Sequence, residues 1–311
     1  MTRPTHPQGG SPASFQDKLA WVLLFFCPAF FASNMVMSRA MAGIFPPFAM
    51  AFHRWFFVGL IVIIALALLR RLSLTRMLGE WRSILFLAAL GMGLCGGPVY
   101  LAGEYTSATN IGLIYSAAPL VIALLAYLKF DEALRRRQII GLFLGLIGVV
   151  TIIIKGDVSR LASLRFNEGD LLIVMATIAF AVYSLGLRYI PTQLTQFERF
   201  GAMALGGSLW HIPAMLAEIS WRGPLPDYTS AIIGALAILV FSASLAAYLS
   251  YGYIVSRLGP TIAGATLYLS PIYAALGGVL LLGEVIAPFH LVGGGLILPG
   301  LYLVSQRKSD A

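Results

Sequence analysis

The stretch from Thr109 to Gly148 occurs twice in this chain. A shift of 152 residues carries Thr109, Gly112, Pro119, Ala123, Leu124, Leu128, Glu132, Gly141 and Gly148 onto Thr261, Gly264, Pro271, Ala275, Leu276, Leu280, Glu284, Gly293 and Gly300. Four of these nine identities are glycine or proline and one is a charge, so shared apolar composition does not account for them. A chain that repeats itself in this way is built from two similar units packed together. Weaker echoes extend the duplication: Phe31, Ala32 and Arg39 recur as Phe180, Ala181 and Arg188, and Pro46, Phe52 and Arg54 recur as Pro191, Phe197 and Arg199. Their offsets of 149 and 145 are what unequal loops produce.

Composition decides the solvent. The 311 residues are 59% hydrophobic and only 11% charged, with a mean hydropathy of +0.86. Soluble domains carry roughly 45–50% apolar and about 25% charged residues, so this excess belongs in a bilayer. A spanning helix needs about 20 mostly apolar residues. Ten runs qualify: 19–41, 47–69, 83–103, 107–128, 137–154, 169–189, 194–217, 229–254, 261–282 and 286–305. The expected chain is all-α and polytopic. It divides into a polar N-terminal tail (1–18), a first five-helix unit (19–154), a linker (155–168), a second five-helix unit (169–305) and a short tail (306–311). No basic segment precedes the first run and no small-residue cleavage site follows it, so it reads as a retained helix.

The net charge of +8 is a statement about topology. Basic residues sit between apolar runs, which excludes a nucleic-acid surface. With the N-terminus inside, fifteen Lys and Arg residues fall on the inner side and four (Lys155, Arg160, Arg165 and Arg222) in outer loops. The positive-inside rule therefore predicts both termini cytoplasmic. Five helices per unit is an odd number, so the second unit enters the membrane the other way up. The turn after the first proline helix carries Lys129 and Arg135–Arg137, whereas its copy around Glu284 carries no Lys or Arg. Inverted repeats of this kind belong to secondary transporters, whose halves rock around a central site.

Several residues are candidates for that site. Pro119 and Pro271 fall near the middle of the fourth and ninth runs, where each would kink a helix and free a carbonyl. Polar and aromatic side chains at membrane depth tend to face the interior: Asn34, Tyr100, Ser116, Tyr183, Ser244, Tyr248 and Tyr268 are the leading ones. The glycine-rich stretch Gly91–Tyr100 permits close backbone approach or acts as a deformable gate. Arg54 either snorkels outward or, with His53, lines the outer vestibule and meets a carboxylate. His211 is either a packing histidine or a titrating group. Glu132 and Glu284 are read as caps of the helices that follow them. No Asp or Glu lies at mid-membrane, which argues against proton coupling through a carboxylate relay. Cys27 and Cys95 both lie in apolar runs, and neither a disulfide framework nor a metal-ligand spacing exists. Walker, HExxH and paired-carboxylate motifs are missing from the sequence too, so no cofactor, metal or enzymatic role is expected.

The duplicated Pro119–Glu132 spacing with Gly141 and Gly148, and its copy at Pro271, Glu284, Gly293 and Gly300, resembles the EamA domain pair of the drug/metabolite transporter superfamily. The resemblance covers nearly the whole chain. It implies ten helices in two inverted halves, a central cavity lined by helices one, three, four, six, eight and nine, and export of small metabolites by alternating access from a bacterial inner (plasma) membrane. The aromatic residues at cavity depth are similar to those of the aromatic amino-acid exporters of the YddG type, which also pass other neutral amino acids. The expected partners are a small-molecule substrate and the lipid bilayer, with the protein a monomer or weak oligomer. The alternatives are a proton antiporter for drugs or other metabolites, and a passive channel or packing subunit.

Overall fold

The computed structural model describes residues 15–162, 164–282 and 285–306. Helices dominate, and no strand occurs among the described residues. Ten helical elements follow one another: α1 (Phe15–Met41) and α2 (Pro47–Leu68), α3 (Trp81–Tyr105) and α4 (Ala108–Phe130), α5 (Arg136–Ile153) and α6 (Glu168–Tyr189), α7 (Gln196–Arg222) and α8 (Ser230–Leu258), an interrupted α9 (260–282), and α10 (Pro288–Ser305). Short helices Leu74–Gly79 and Ser159–Ala162 lie in the connections. Among the described residues, nine of the ten are long and apolar enough to cross a membrane. The exception is α9, which is helical over Pro260–Thr266, tightens to a 3₁₀ turn at Leu267–Leu269, and resumes at Ser270–Leu282.

Local chemistry sets the helix ends. Asn167 and Asp170 form a reciprocal capping box at the start of α6, as do Thr195 and Glu198 at the start of α7. Ser107 and Thr229 cap α4 and α8 through their hydroxyls. Arg70, Asp131 and Lys155 adopt left-handed backbone conformations just beyond α2, α4 and α5, which stops each helix there. Large apolar side chains such as Phe26, Ile64, Phe143, Ile178 and Leu209 remain exposed around the outside of the bundle. In water such a surface would aggregate, whereas in a bilayer it is the lipid-facing side.

The duplication is visible in how helices meet. α5 packs on α10 and α2 on α7, each pairing equivalent helices of the two units. A Cβ on Gly141 would lie 2.5 Å from the Gly300 carbonyl oxygen, and one on Gly148 would lie 2.6 Å from that of Gly293. Gly141 corresponds to Gly293 and Gly148 to Gly300, so each residue faces the equivalent of the other. Such crossed pairing requires α5 and α10 to run antiparallel about a local two-fold axis. The duplicated glycines are therefore explained by backbone-to-backbone packing. The cysteines obey the same exchange. Cys27 on α1 donates to the Ala247 carbonyl on α8, at 3.5 Å, and Cys95 on α3 donates to that of Ala176 on α6, at 3.4 Å. Ala176 and Ala247 are the counterparts of Cys27 and Cys95 at offsets of 149 and 152.

The irregularities repeat as well. α3 widens into a π-helical turn at Ala89–Leu94, and α8 does so at Phe241–Ala246, again 152 residues on. α4 is interrupted at Ser116–Ala117, and α9 tightens at the corresponding place. Pro119 and Pro271 each sit at the second position of the segment after the break. Proline is well accommodated in a first helical turn, where its missing N–H has no partner to lose. Thus the two prolines open a new helical segment rather than kink a continuous one, and the break lies just before them.

Candidate functional site

Arg54 is the centre of the bundle's polar interior. It lies in the second turn of α2, begun by Pro47, and only 1% of it is exposed. Its Nε donates to Ser244 Oγ at 2.5 Å, and its Nη1 donates to Asn34 Oδ1 at 2.8 Å and to the Tyr100 hydroxyl at 2.7 Å. Nη2 donates to the Ala243 carbonyl at 2.8 Å. Tyr100 in turn donates to Asn34 Oδ1 at 2.8 Å. One side chain thus joins α1, α2, α3 and α8. The guanidinium carbon stands 4.5 Å from the centre of the Trp55 ring and 5.9 Å from that of Tyr248. Both are within cation–π range.

The π-turn of α8 explains why these partners exist. A wider turn leaves carbonyls without their usual helical donors. Ala243 O lies in it and takes a hydrogen bond from Arg54, while Ser244 Oγ donates back to Leu239 O at 2.7 Å. In the matching turn of α3, Gly91 O accepts from the Tyr248 hydroxyl at 3.0 Å, and Met92 O faces His211 Nε2 at 3.1 Å. Gly91 and Ala243 are counterparts at offset 152. Around them stands an aromatic wall. Phe31 packs against Phe180, Tyr248 and Tyr251, and Tyr248 also meets Trp55 edge-on with centres 4.9 Å apart. The Tyr183 ring lies over Gly91, where a Cβ would come within 2.5 Å of it.

Of the residues expected from the sequence, Asn34, Arg54, Tyr100, Ser244 and Tyr248 come together here, with Tyr183 beside them. Arg54 does not snorkel outward; it turns into the bundle. His53 lies at the N-terminal end of α2, its ring nitrogens 2.6 Å from Ala49 O and 2.8 Å from the Tyr228 hydroxyl, and does not join Arg54. His211 is buried, and its placement against the Met92 carbonyl requires a proton on Nε2. Ser116 turns back to Leu113 O at 2.6 Å. Tyr268 lies apart, its ring seated where Gly145 leaves room and its buried hydroxyl without a partner among the described residues.

The carboxylates stay at helix ends. Buried Glu218 accepts from the Phe48 and Ala49 amides at the start of α2, Glu198 from Ser73 and Arg76, and Asp170 from Thr106 and Asn110. Glu132 does not cap α5, whose cap is built from Arg135 and Gln138. Instead it accepts hydrogen bonds from Tyr189 at the end of α6 and Thr261 at the start of α9. Its copy, Glu284, lies outside the described residues. Two surface clefts, one lined by Ser107, Asn110 and Arg165 and one between α1 and α10 at Trp21 and Tyr302, share no residue with the Arg54 cluster.

Sequence reasoning missed Trp55, whose neighbour Arg54 was the available signal. It also left out the α8 π-turn, which no glycine or proline announces.

The sequence profile of the EamA-like transporter family matches residues 19–154 and 167–306. This chain belongs to that family. An uncharacterised transporter of Archaeoglobus fulgidus is 29% identical over 268 residues, 84% of this chain and 89% of the relative. A probable terminal-alkyne amino-acid exporter of Streptantibioticus cattleyicolor is 26% identical across 65% of this chain and 66% of its own length. An S-adenosylmethionine/S-adenosylhomocysteine transporter of Chlamydia trachomatis is 24% identical across 92% and 89% respectively. A solved crystal structure superposes with a TM-score of 0.74 at 17% identity, covering 94% of this chain and 98% of the other, a likeness of fold. The chain is accordingly a multi-pass membrane protein and a transporter of small metabolites.

Proposed function

We propose that this protein carries amino acids, aromatic and other neutral ones first, by alternating access between two inverted five-helix units. In this reading α9 completes a set of ten spanning helices, both termini face the cytoplasm, and the membrane is a bacterial plasma membrane. The observation that carries it is the Arg54 cluster. It draws polar groups from both units to one buried point, walled by Phe31, Trp55, Tyr183 and Tyr248. Interiors of this kind suit a solute with one polar end and one apolar end. The antiparallel glycine contacts of α5 and α10 support the inverted arrangement, and the repeat-related breaks of α4 and α9 supply places for the halves to flex. The amino-acid exporter among the relatives supports the substrate class. Because the buried carboxylates sit at helix ends, the carrier works without strong proton coupling.

Counterflow in proteoliposomes preloaded with a neutral amino-acid mixture, at matched pH on both sides, tests this. Labelled phenylalanine or leucine should accumulate, and an imposed pH gradient should not change the rate. Silence toward all twenty amino acids would overturn the substrate assignment. Flux only under a pH gradient would overturn the uncoupled mechanism.

A further inference from the structure

We infer that the Arg54 cluster is a carboxylate-recognition site, so that the carried solute must bear a free carboxyl group while its amino group is dispensable. The inference rests on the reading of this cluster as the solute site and names its chemistry.

The cluster has donors in surplus. A guanidinium has five N–H groups. Arg54 directs four of them to Ser244, Asn34, Tyr100 and Ala243, leaving one on Nη2. On the next residue, the Trp55 indole N–H is buried with no hydrogen-bond partner among the described residues, on a side chain that is 0% exposed. Asn34, half-buried, uses its oxygen for both Arg54 and Tyr100, and its amide nitrogen has no partner among the described residues. Buried polar groups are nearly always satisfied, so an unmet indole N–H on the residue next to an arginine with a donor to spare is a reason to look for an acceptor there.

The cluster also carries a net positive charge. Arg54 has only neutral partners. The ion pairs among the described residues engage Arg76, Arg160 and Arg222 instead. An unbalanced cation inside a low-dielectric bundle is costly. A carboxylate balances it one for one, and one of its oxygens takes the remaining Nη2 N–H as a charge-assisted hydrogen bond. A phosphate would bring more negative charge than one arginine offsets, and the surrounding rings suit an organic body better than an inorganic ion. No acidic side chain belongs to the cluster, so nothing in it demands an ammonium group.

Arg199, at the related position in the second unit, shows what a purely structural arginine looks like here. It donates to the Leu187, Gly186 and Ile190 carbonyls at the C-terminal end of α6, where the helix dipole is negative. Arg54 faces no helix end of this kind.

The test uses the purified full-length protein and two matched sets of ligands. One set is phenylalanine, 3-phenylpropionate, phenylalanine amide and phenylethylamine; the other is leucine, 4-methylpentanoate, leucine amide and isopentylamine. Binding is read from the ligand-induced shift in thermal unfolding, and transport from counterflow. At least one set should show binding by the amino acid and the plain acid, with none by the amide or amine at tenfold higher concentration. Arg54→Lys should weaken acid binding about tenfold or more, because three ammonium donors cannot hold the partners of the guanidinium and still present one to the acid. Trp55→Phe keeps the ring, removes the N–H, and should weaken binding about threefold. Amide or amine binding as tight as the acid would overturn the inference, as would unchanged acid binding in Trp55→Phe, or no binding by any acid. Acid binding without counterflow would leave the site standing and overturn the transport reading. Equal flux of acid and amine would do the reverse.

Discussion

The π-turns of α3 and α8 occupy equivalent places in the two units, yet their exposed carbonyls are served by different chemistry. Gly91 O receives a neutral phenol from Tyr248, and Ala243 O receives the guanidinium of Arg54. The backbone device is therefore shared by the duplication, whereas the charge is not. Symmetry supplies two π-turns at equivalent places, and side chains break that symmetry so that only one of these two carbonyls is met by a cation. A related asymmetry separates Arg54 from Arg199. Both descend from one sequence echo, but the second closes the end of α6 and the first sits among neutral partners at the centre.

Arg54→Gln separates the two turns most strongly. Counterflow should fall about a hundredfold, the scale expected when a charged hydrogen bond to solute is lost. Thermal stability in detergent should hold or rise, since an unbalanced buried charge has been removed. A collapse of stability with full flux in the surviving protein would make Arg54 structural. Arg199→Gln should invert the pattern. We expect a loss of about 2 kcal/mol in stability, from carbonyls left unmet at the end of α6, with flux per folded molecule unchanged within about threefold.

Smaller effects sharpen the contrast between the turns. Tyr248→Phe keeps the ring against Trp55 and Phe31 but abandons Gly91 O. It should cost about 1 kcal/mol of stability and reduce flux only a few-fold. If its effect matched that of Arg54→Gln, the two turns would be functionally equivalent. Ser244→Ala removes one neutral partner of the guanidinium while the others hold it in place. A rise of about threefold in KM with little change in maximal rate is expected in counterflow.

Much of the molecule could be read before any coordinates. The repeat, the apolar runs and the elements of the interior followed from spacing and hydropathy, because a bilayer admits few ways to satisfy a backbone. Asn34, Tyr100, Ser244 and Tyr248 were legible as polar groups with nowhere else to go at that depth. Glu132 was misread as a cap because its partners, Tyr189 and Thr261, lie 57 and 129 residues away along the chain. Trp55 was overlooked because an aromatic residue in an apolar run looks like core or lipid contact until its N–H is found without a partner.

A helical membrane protein of two related units, with the glycines that let α5 and α10 touch, is written into the residue order. Those outcomes depend on local periodicity and on side-chain size, which are properties of position in the chain. Only the tertiary structure decided where Arg54 points. Its alternatives, outward to the surface or inward to the bundle, differ by the partners that α1, α3 and α8 bring to one place. Nothing in the neighbouring sequence specifies that convergence. The same holds for the prolines: spacing pointed to kinks at Pro119 and Pro271, whereas in the structure the breaks precede them and each proline opens a new segment.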